Sequence, residues 1–164
     1  MGACGVMASK HEAAAAPAPA ERFVTLTTAG QLFGLRLERV RHVFVPRGLS
    51  KVPMAPREVA GVLNLRGRIV TAIDLRARLG LPPLNDGAAP LAIGIEKHGE
   101  IYGIVVDRVG EVLHLDRTTF EANPINLDPR WTELCAGVHR LVAGLLIVLD
   151  VDKVLDLSRG RAAA

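Results

Sequence analysis

Apolar and polar residues alternate over short stretches of this chain, which is the pattern of β-strands with one buried face. In FGLRL, for example, Phe33, Leu35 and Leu37 fall on one face at a period of two. Leu63 and Leu65 repeat the alternation further along the chain. These runs are rich in β-branched or apolar residues and end at turn signals, so the sequence predicts an all-β chain of short strands.

Glycines mark the predicted hairpin turns. Gly30 and Gly99 each stand between two apolar runs, and glycine adopts positive φ without steric cost. In AGVLNLRGRIVTAIDL, residues 60–75, the pair Arg66-Gly67 separates two further apolar runs. The sequence therefore predicts a third tight hairpin, with a lone arginine at its tip.

The stretch DLRARLGLPP predicts a short helix. Asp74 is placed to cap its first turn, Leu75 and Leu79 lie four residues apart, and Gly80 is placed to end it. The residues that follow, 82–90, contain prolines, a glycine and an Asn-Asp pair, and predict a connection without regular structure.

Two pairs of segments show that the chain nearly repeats itself. TTAGQLFGLRLERVRHVF (27–44) overlays EKHGEIYGIVVDRVGEVL (96–113) without a gap at a shift of 69 positions. GVLNLRGRIVTAIDL (61–75) resembles GVHRLVAGLLIVLDV (137–151) at a shift of 76, with Asp74 over Asp150. Internal similarity of this kind predicts two related lobes in tandem, each a little barrel of about five strands.

The repeat sets the predicted domain boundaries. Lobe one covers about 21–81, the connection 82–90, and lobe two about 91–157. Residues 1–20 are rich in alanine and proline and predict a flexible tail, and residues 158–164 form a short C-terminal tail.

Composition adds an uneven distribution of charge. Hydrophobic residues make up 49% of the chain and only six residues are aromatic, so the core is aliphatic. The formal charge of +3 combines a net +7 over residues 21–78 with a net −5 over residues 96–157. The overall basic balance weakly suggests an anionic partner such as nucleic acid.

The chain lacks the residue constellations that catalysis and metal binding require. Its five histidines are scattered, and no phosphate-binding glycine loop or zinc-ligand spacing occurs. Cys4 lies in the predicted tail, and Cys135 lies in an apolar context typical of a buried free thiol. Asp107, like the other aspartates near turns, is interpreted as a cap or surface pair. We therefore expect no enzyme activity, no cofactor and no metal.

No stretch of the sequence predicts a membrane-spanning helix or a signal for export from the cytoplasm. No apolar run approaches the roughly 20 residues of a membrane helix. The N-terminus lacks the basic start and unbroken apolar stretch of a signal peptide. We expect a soluble cytoplasmic protein that does not insert into a membrane.

Two motifs together resemble a known family. NLRGRIVTAIDLR (64–76) and YGIVVDRVGEVL (102–113) closely resemble the CheW-like domain family of chemotaxis coupling proteins, over residues 21–157. The resemblance implies two five-stranded SH3-like barrel lobes around a shared hydrophobic core, with a few short helices. It also implies a non-catalytic adaptor between the cytoplasmic tip of a methyl-accepting chemoreceptor and the regulatory domain of the histidine kinase CheA. Such an adaptor is recruited to receptor arrays at the membrane.

The resemblance also assigns site residues. It implies a receptor-binding groove that includes Val40, His42, Leu65, Arg66 and Gly67. In the family the arginine pairs with an acid on a preceding strand, and His42 stands at that acid's position here. A histidine cannot form this ion pair, so Arg66 is expected either to find another acid, for instance on the receptor itself, or to be a solvated arginine of the turn. Val40 and Leu65 are expected either to contribute contact in the groove or to be buried in their own barrel. Residues with a structural role in turns and caps are Gly30, Gly61, Asp74, Gly80, Gly99 and Asp107.

The charge division allows two interpretations of partners. A basic lobe of one molecule facing an acidic lobe of the next would give a head-to-tail contact between CheW-like lobes. The rival function is a small basic β-barrel that binds nucleic acid, although proteins that bind single strands usually offer more aromatic platforms for stacking. Its phosphate contacts would be Arg36, Arg39, Arg41, Arg47, Lys51 and Arg57.

Overall fold

Short antiparallel strands dominate the computed structural model, which describes residues 20–83, 89–122 and 127–157. The strands are β1 (Ala20–Thr28), β2 (Gln31–Arg36), β3 (Val40–Phe44), β4 (Val59–Leu65), β5 (Arg68–Asp74), β6 (Leu91–Lys97), β7 (Glu100–Val106), β8 (Arg108–Asp116), β9 (Phe120–Glu121), β10 (Cys135–Leu141) and β11 (Gly144–Leu149). The short helices are α1 (Leu75–Arg78), α2 (Pro129–Thr132) and α3 (Val151–Leu155), and 3-10 turns cover Leu37–Arg39 and Arg117–Thr119. The predicted all-β class with a few short helices is confirmed.

Several predicted segments fall on residues that lie outside this description. Of the predicted N-terminal tail only Ala20 is described, and it begins β1. The C-terminal tail, 158–164, and residues 84–88 of the predicted connection lie outside the described residues. Among the described residues, no helix has the length and apolarity needed to cross a bilayer.

The strands form two sheets whose members come from both halves of the chain. Sheet A has the order β8-β1-β2-β11-β10-β9, and sheet B has the order β3-β6-β7-β5-β4. Each sheet contains one parallel contact, between β2 and β11 in sheet A and between β5 and β7 in sheet B. The other pairs are antiparallel.

The strand order interleaves the two repeats of the sequence. β1 and β2 pair with strands of the second repeat, and β6 and β7 pair with strands of the first. The predicted boundaries at 81 and 91 fall between β5 and β6, which are both strands of sheet B, and the chain passes between sheets at 37–39 and at Asp107. Sequence similarity identifies equivalent strands, but it cannot tell which copy a strand pairs with, because both ladders would use the same residues.

The predicted hairpin turns adopt a backbone conformation that explains their glycines. Arg66 and Gly67 have φ of 53° and 84°, and β4 closes onto β5 at the Leu65–Arg68 pair. Two central residues with positive φ are the mark of a type I′ turn, whose twist matches that of the strands. Gly30 and Gly99 occupy the second position of equivalent turns, with φ of 81° and 79°.

Aspartates cap the helices that follow the last strand of each repeat. The Asp74 side chain accepts a hydrogen bond from the Arg76 amide at 3.0 Å. Asp150, its counterpart at a shift of 76, accepts from the amides of Asp152 and Lys153. Gly80 has a φ of 74° just after α1, the left-handed conformation that commonly ends a helix.

The core lies mainly between the two sheets. Leu26 and Phe33 of sheet A join Ile93 and Ile104 of sheet B in one large buried cluster, so the predicted shared hydrophobic core is confirmed. Each sheet also has a smaller cluster of its own. These are Phe23, Leu146 and Val148 in sheet A, and Leu63, Val70 and Ala72 in sheet B.

Candidate functional site

The N-L-R-G motif forms the tip of the β4–β5 hairpin, and each of its residues has a distinct place. The Asn64 side-chain oxygen accepts a hydrogen bond from the Gly67 amide at 2.9 Å. Leu65 is half-buried and packs against the sheet B cluster, whereas Arg66 is exposed. Among the described residues, Arg66 has no hydrogen-bond or ion-pair partner. The hairpin therefore presents a free guanidinium to solvent.

A second hairpin tip lies beside the first. Arg68 Nη2 donates to the Gly99 carbonyl oxygen at 3.3 Å, which ties the β4–β5 turn to the β6–β7 turn. Because β5 and β7 pair in parallel, the turns that precede them meet at the same end of the strands of sheet B. Between them is a groove of about 320 Å³, called the tip groove here, and it is lined by Arg68, Ile69, Thr71, Gly99, Glu100 and Ile101.

The tip groove combines apolar and charged side chains. Ile69 is 64% exposed, an unusually high value for an isoleucine in a strand. Arg68 and Glu100 flank it with opposite charges, and Tyr102 donates its hydroxyl to Glu100 at 2.8 Å. Together with the neighbouring Arg66, this surface fits a protein segment that carries both an apolar side chain and a carboxylate.

The other two predicted groove residues lie on β3. The His42 ring rests directly on Gly94, where a Cβ would stand 3.0 Å from its Cε1 atom. Its Nε2 atom is buried without a hydrogen-bond partner among the described residues, and the ring lies 5.3 Å from that of Phe44. Val40 is half-buried against the central core.

Val40 and His42 lie on β3, whereas the hairpin tip joins β4 and β5. β3 and β4 are the two opposite edges of sheet B, although Phe44 and Leu65 pack against the same cluster. Within the described ranges, no hydrogen bond or ion pair joins His42 to Arg66. The structure brings Leu65, Arg66 and Gly67 together at the tip.

Sequence reasoning missed the exposed apolar surface of β3 and the β3–β4 loop, residues 45–58. Met54 is 99% exposed, and four further apolar side chains stand out from the same segment, namely Val43, Val45, Leu49 and Val52. Exposed cations alternate with them: Arg47, Lys51 and Arg57. The signal was present as a run of apolar residues without strand alternation and with prolines throughout. We call residues 43–58 the basic apolar surface.

Charge follows the sheets as well as the sequence. The sheet B part, residues 40–83 and 89–106, carries nine lysines and arginines and four acids, a net of +5. The remaining described residues carry eight basic and eleven acidic residues, a net of −3. The difference in net charge between the two sheets is therefore smaller than that between the two halves of the sequence, but one part is still basic and the other acidic.

Three polar residues of types that often take part in catalysis, Cys135, His139 and Asp107, are buried or paired within the fold. Burial raises the pKa of the Cys135 thiol to about 12, so the thiol stays protonated and unreactive at neutral pH. His139 is fully buried, with its Nδ1 atom 2.9 Å from the Thr119 hydroxyl. Asp107 forms an ion pair with Arg76 at 2.7 Å, and that guanidinium holds the pKa of the carboxyl below its usual value. No three potential metal ligands cluster anywhere in the described part of the chain.

The aromatic side chains offer little to a nucleic acid. Phe33 is fully buried and packs against Trp131 at 5.5 Å between ring centres. Tyr102 is half-buried, and its hydroxyl is engaged by Glu100. The cations proposed as phosphate contacts therefore have no neighbouring platform at these two positions on which bases would stack.

Comparison with known proteins gives a consistent result. The family model described as "CheW-like domain" matches residues 22–159. The chemotaxis protein CheW of Klebsiella aerogenes is 27% identical over 136 residues, which cover 83% of this chain and 82% of that protein. The chemotaxis protein CheW of Helicobacter pylori is 24% identical over 134 residues, covering 82% and 81%.

A solved structure shares the fold. The crystal structure of the scaffolding protein TtCheW from Thermoanaerobacter tengcongensis matches with a TM-score of 0.75 at 27% identity. The match covers 84% of this chain and 93% of that one. The strand-exchanged arrangement of two sheets is therefore similar, over most of its length, to that of a protein described as a scaffold.

Proposed function

This chain belongs to the CheW-like domain family of chemotaxis coupling scaffolds, and from that premise we propose that it joins a chemoreceptor tip to the regulatory domain of the histidine kinase CheA. It holds the two proteins side by side on the cytoplasmic side of receptor arrays and performs no catalysis of its own. The observation that carries the proposal is the hairpin tip, where Arg66 is exposed and unpaired beside the tip groove.

The receptor contact is assigned to Arg66. The family resemblance implies an acid on β3 as its partner, but His42 occupies that position and rests on Gly94. Arg66 is therefore free to pair with a carboxylate of the receptor, in the bidentate geometry that guanidinium groups favour. Ile69, exposed in the tip groove, supplies apolar contact beside it.

The kinase contact is assigned to the basic apolar surface. Its exposed apolar side chains supply the contact area, and Arg47, Lys51 and Arg57 suit an acidic partner face. A CheW-like regulatory domain with the same division of charge would dock head to tail, its acidic part against this surface. Charge guides such an encounter, whereas the apolar contacts provide most of the affinity.

A capture experiment with the purified full chain tests the receptor assignment and the charge dependence of the kinase contact. Arg66→Glu reverses the charge at the hairpin tip, and we expect capture of a receptor-tip fragment to fall at least about tenfold, because a paired charge is lost and a repulsion is added. Capture of the kinase regulatory domain should remain within about twofold at low salt and should weaken as salt screens the charges.

Arg22→Glu is the matched control for the hairpin variant. Arg22 is an exposed arginine of sheet A without a hydrogen-bond or ion-pair partner among the described residues. Its reversal should leave receptor capture unchanged. Equal losses in the Arg22 and Arg66 variants, or loss of kinase rather than receptor capture with Arg66→Glu, would contradict the assignment.

A further inference from the structure

Two side chains hold the hairpin tip from which Arg66 projects. Asn64 is exposed, and its side-chain oxygen is used to accept the Gly67 amide at 2.9 Å across the turn. Arg68 reaches in the other direction, to the Gly99 carbonyl oxygen of the neighbouring turn at 3.3 Å. The residues on both sides of Arg66-Gly67 thus bind backbone atoms of turns.

The conformation held in this way is a strained one. Arg66 has a φ of 53°, in the left-handed region where a residue with a Cβ atom is disfavoured. Asparagine and glycine tolerate that position better than arginine does. The turn therefore keeps an arginine where the backbone alone would favour another residue.

The equivalent hairpin in sheet A shows that the topology does not require this arrangement. β10 and β11 also close over two residues, Val142 and Ala143, and neither has a positive φ. Arg140 stands at the position of Asn64, and its guanidinium pairs with Glu121 at 2.9 Å instead of holding the turn. Of these two hairpins, only the one that carries Arg66 has an exposed side chain, Asn64, bound to the amide of its own turn.

We propose that Asn64 and Arg68 are positioning residues that fix the direction in which Arg66 meets its partner. They hold the backbone beneath Arg66 before binding, so less conformational freedom is lost when the guanidinium is engaged. The inference rests on the proposed role of Arg66 and adds that Asn64 and Arg68 support this role by holding the turn.

The test compares Asn64→Ala with Arg66→Ala in binding of the full chain to a receptor-tip fragment. Arg66→Ala should weaken binding at least about tenfold. Asn64→Ala should weaken it about three- to tenfold, and should have no further effect in the Arg66→Ala background. Arg68→Ala should behave as Asn64→Ala does.

Two further measurements separate positioning from a loss of folding. Hydrogen exchange of the Gly67 amide should accelerate in Asn64→Ala, while the Tm falls by less than about 4 °C, as expected for one exposed hydrogen bond. Asp116→Ala is the matched control, because it removes an equally exposed turn bond, to the Thr118 amide at 2.9 Å in sheet A. It should leave binding unchanged.

The outcomes distinguish this inference from the function on which it rests. If Arg66→Ala binds as the wild type does, the proposed receptor contact is wrong. If Arg66→Ala weakens binding but Asn64→Ala does not, positioning is overturned while the contact stands. An Asn64→Ala loss that persists in full without Arg66 overturns positioning as well, because it would then be an independent contact.

Discussion

His139 is a titratable side chain enclosed by the sheet A core. It is fully buried, and the rings of Phe23 and Phe120 each lie 5.3 Å from its own. Its Nε2 atom has no hydrogen-bond partner among the described residues. Burial lowers the pKa of His139, Glu21 raises it and Arg36 lowers it, with burial the largest cause. The neutral ring is thus the form that the fold accommodates.

Stability should therefore decrease as the pH falls from 7.5 to 5.5. The unfolded chain takes up a proton near the ordinary histidine pKa of about 6.5, whereas folded His139 resists it, so protonation favours unfolding. Carboxylates such as Asp107 and Asp152, whose pKa values are lowered, remain ionised over this range. Urea unfolding of His139→Gln should show a smaller decrease than the wild type. His114→Gln, at an exposed strand position, is the control, and an identical pH dependence in all three proteins would contradict the role of His139.

At the scale of elements, both short helices that follow a repeat depend on an aspartate cap. α1 and α3 have only four and five residues, too few to be stable without tertiary contacts. Asp74→Ala and Asp150→Ala should each lower the free energy of unfolding by about 1 kcal/mol, the usual cost of removing an N-cap. Asp74→Asn and Asp150→Asn keep a capping oxygen and should recover most of it in urea titrations. Equal losses for alanine and asparagine would argue against capping.

The elements themselves were largely predictable from local signals. The turns at Gly30, Gly67 and Gly99 and the cap at Asp74 follow from the positive φ of glycine and the acceptor oxygen of aspartate. The exchange of strands was not predictable, since it depends on which of two equivalent ladders packs better in three dimensions. The family signature pointed to Arg66, but whether that side chain has a partner within its own fold required the structure. Asn64 was overlooked because an asparagine before a turn has many ordinary roles.

At the scale of the whole molecule, an ion-pair cluster lies at each of the two crossovers, the places where the chain passes from one sheet to the other. At one, Asp107 binds Arg76 of α1, the helix that follows β5 of sheet B. Asp107 also accepts a hydrogen bond from the Ala29 amide in the β1–β2 turn of sheet A. At the other, Arg39 binds Asp152, which lies in the helix after sheet A, at 3.1 Å, with Lys97 of sheet B 3.9 Å away. Each cluster connects a crossover, a helix and a hairpin.

The two clusters have opposite polarity. At the first the crossover supplies the acid, and at the second it supplies the base. They also differ in solvent exposure. The Arg76 and Asp107 side chains are 14% and 17% exposed, whereas those of Arg39 and Asp152 are 31% and 58% exposed. One crossover therefore has an ion pair that is shielded from solvent, and the other has an ion pair that is exposed to it.

This difference predicts unequal contributions to stability. Asp107→Asn or Arg76→Gln should each cost about 2 kcal/mol, because each removes one charge of an ion pair that is largely shielded from solvent. The double variant should cost little more than either, since the pair acts as a unit. Arg39→Gln and Asp152→Asn should each cost less than about 1 kcal/mol, an effect that should nearly disappear in 1 M salt. Chemical unfolding at two salt concentrations measures both cycles. Equal coupling energies in the two clusters, with the same salt dependence, would show that burial does not distinguish the two crossovers.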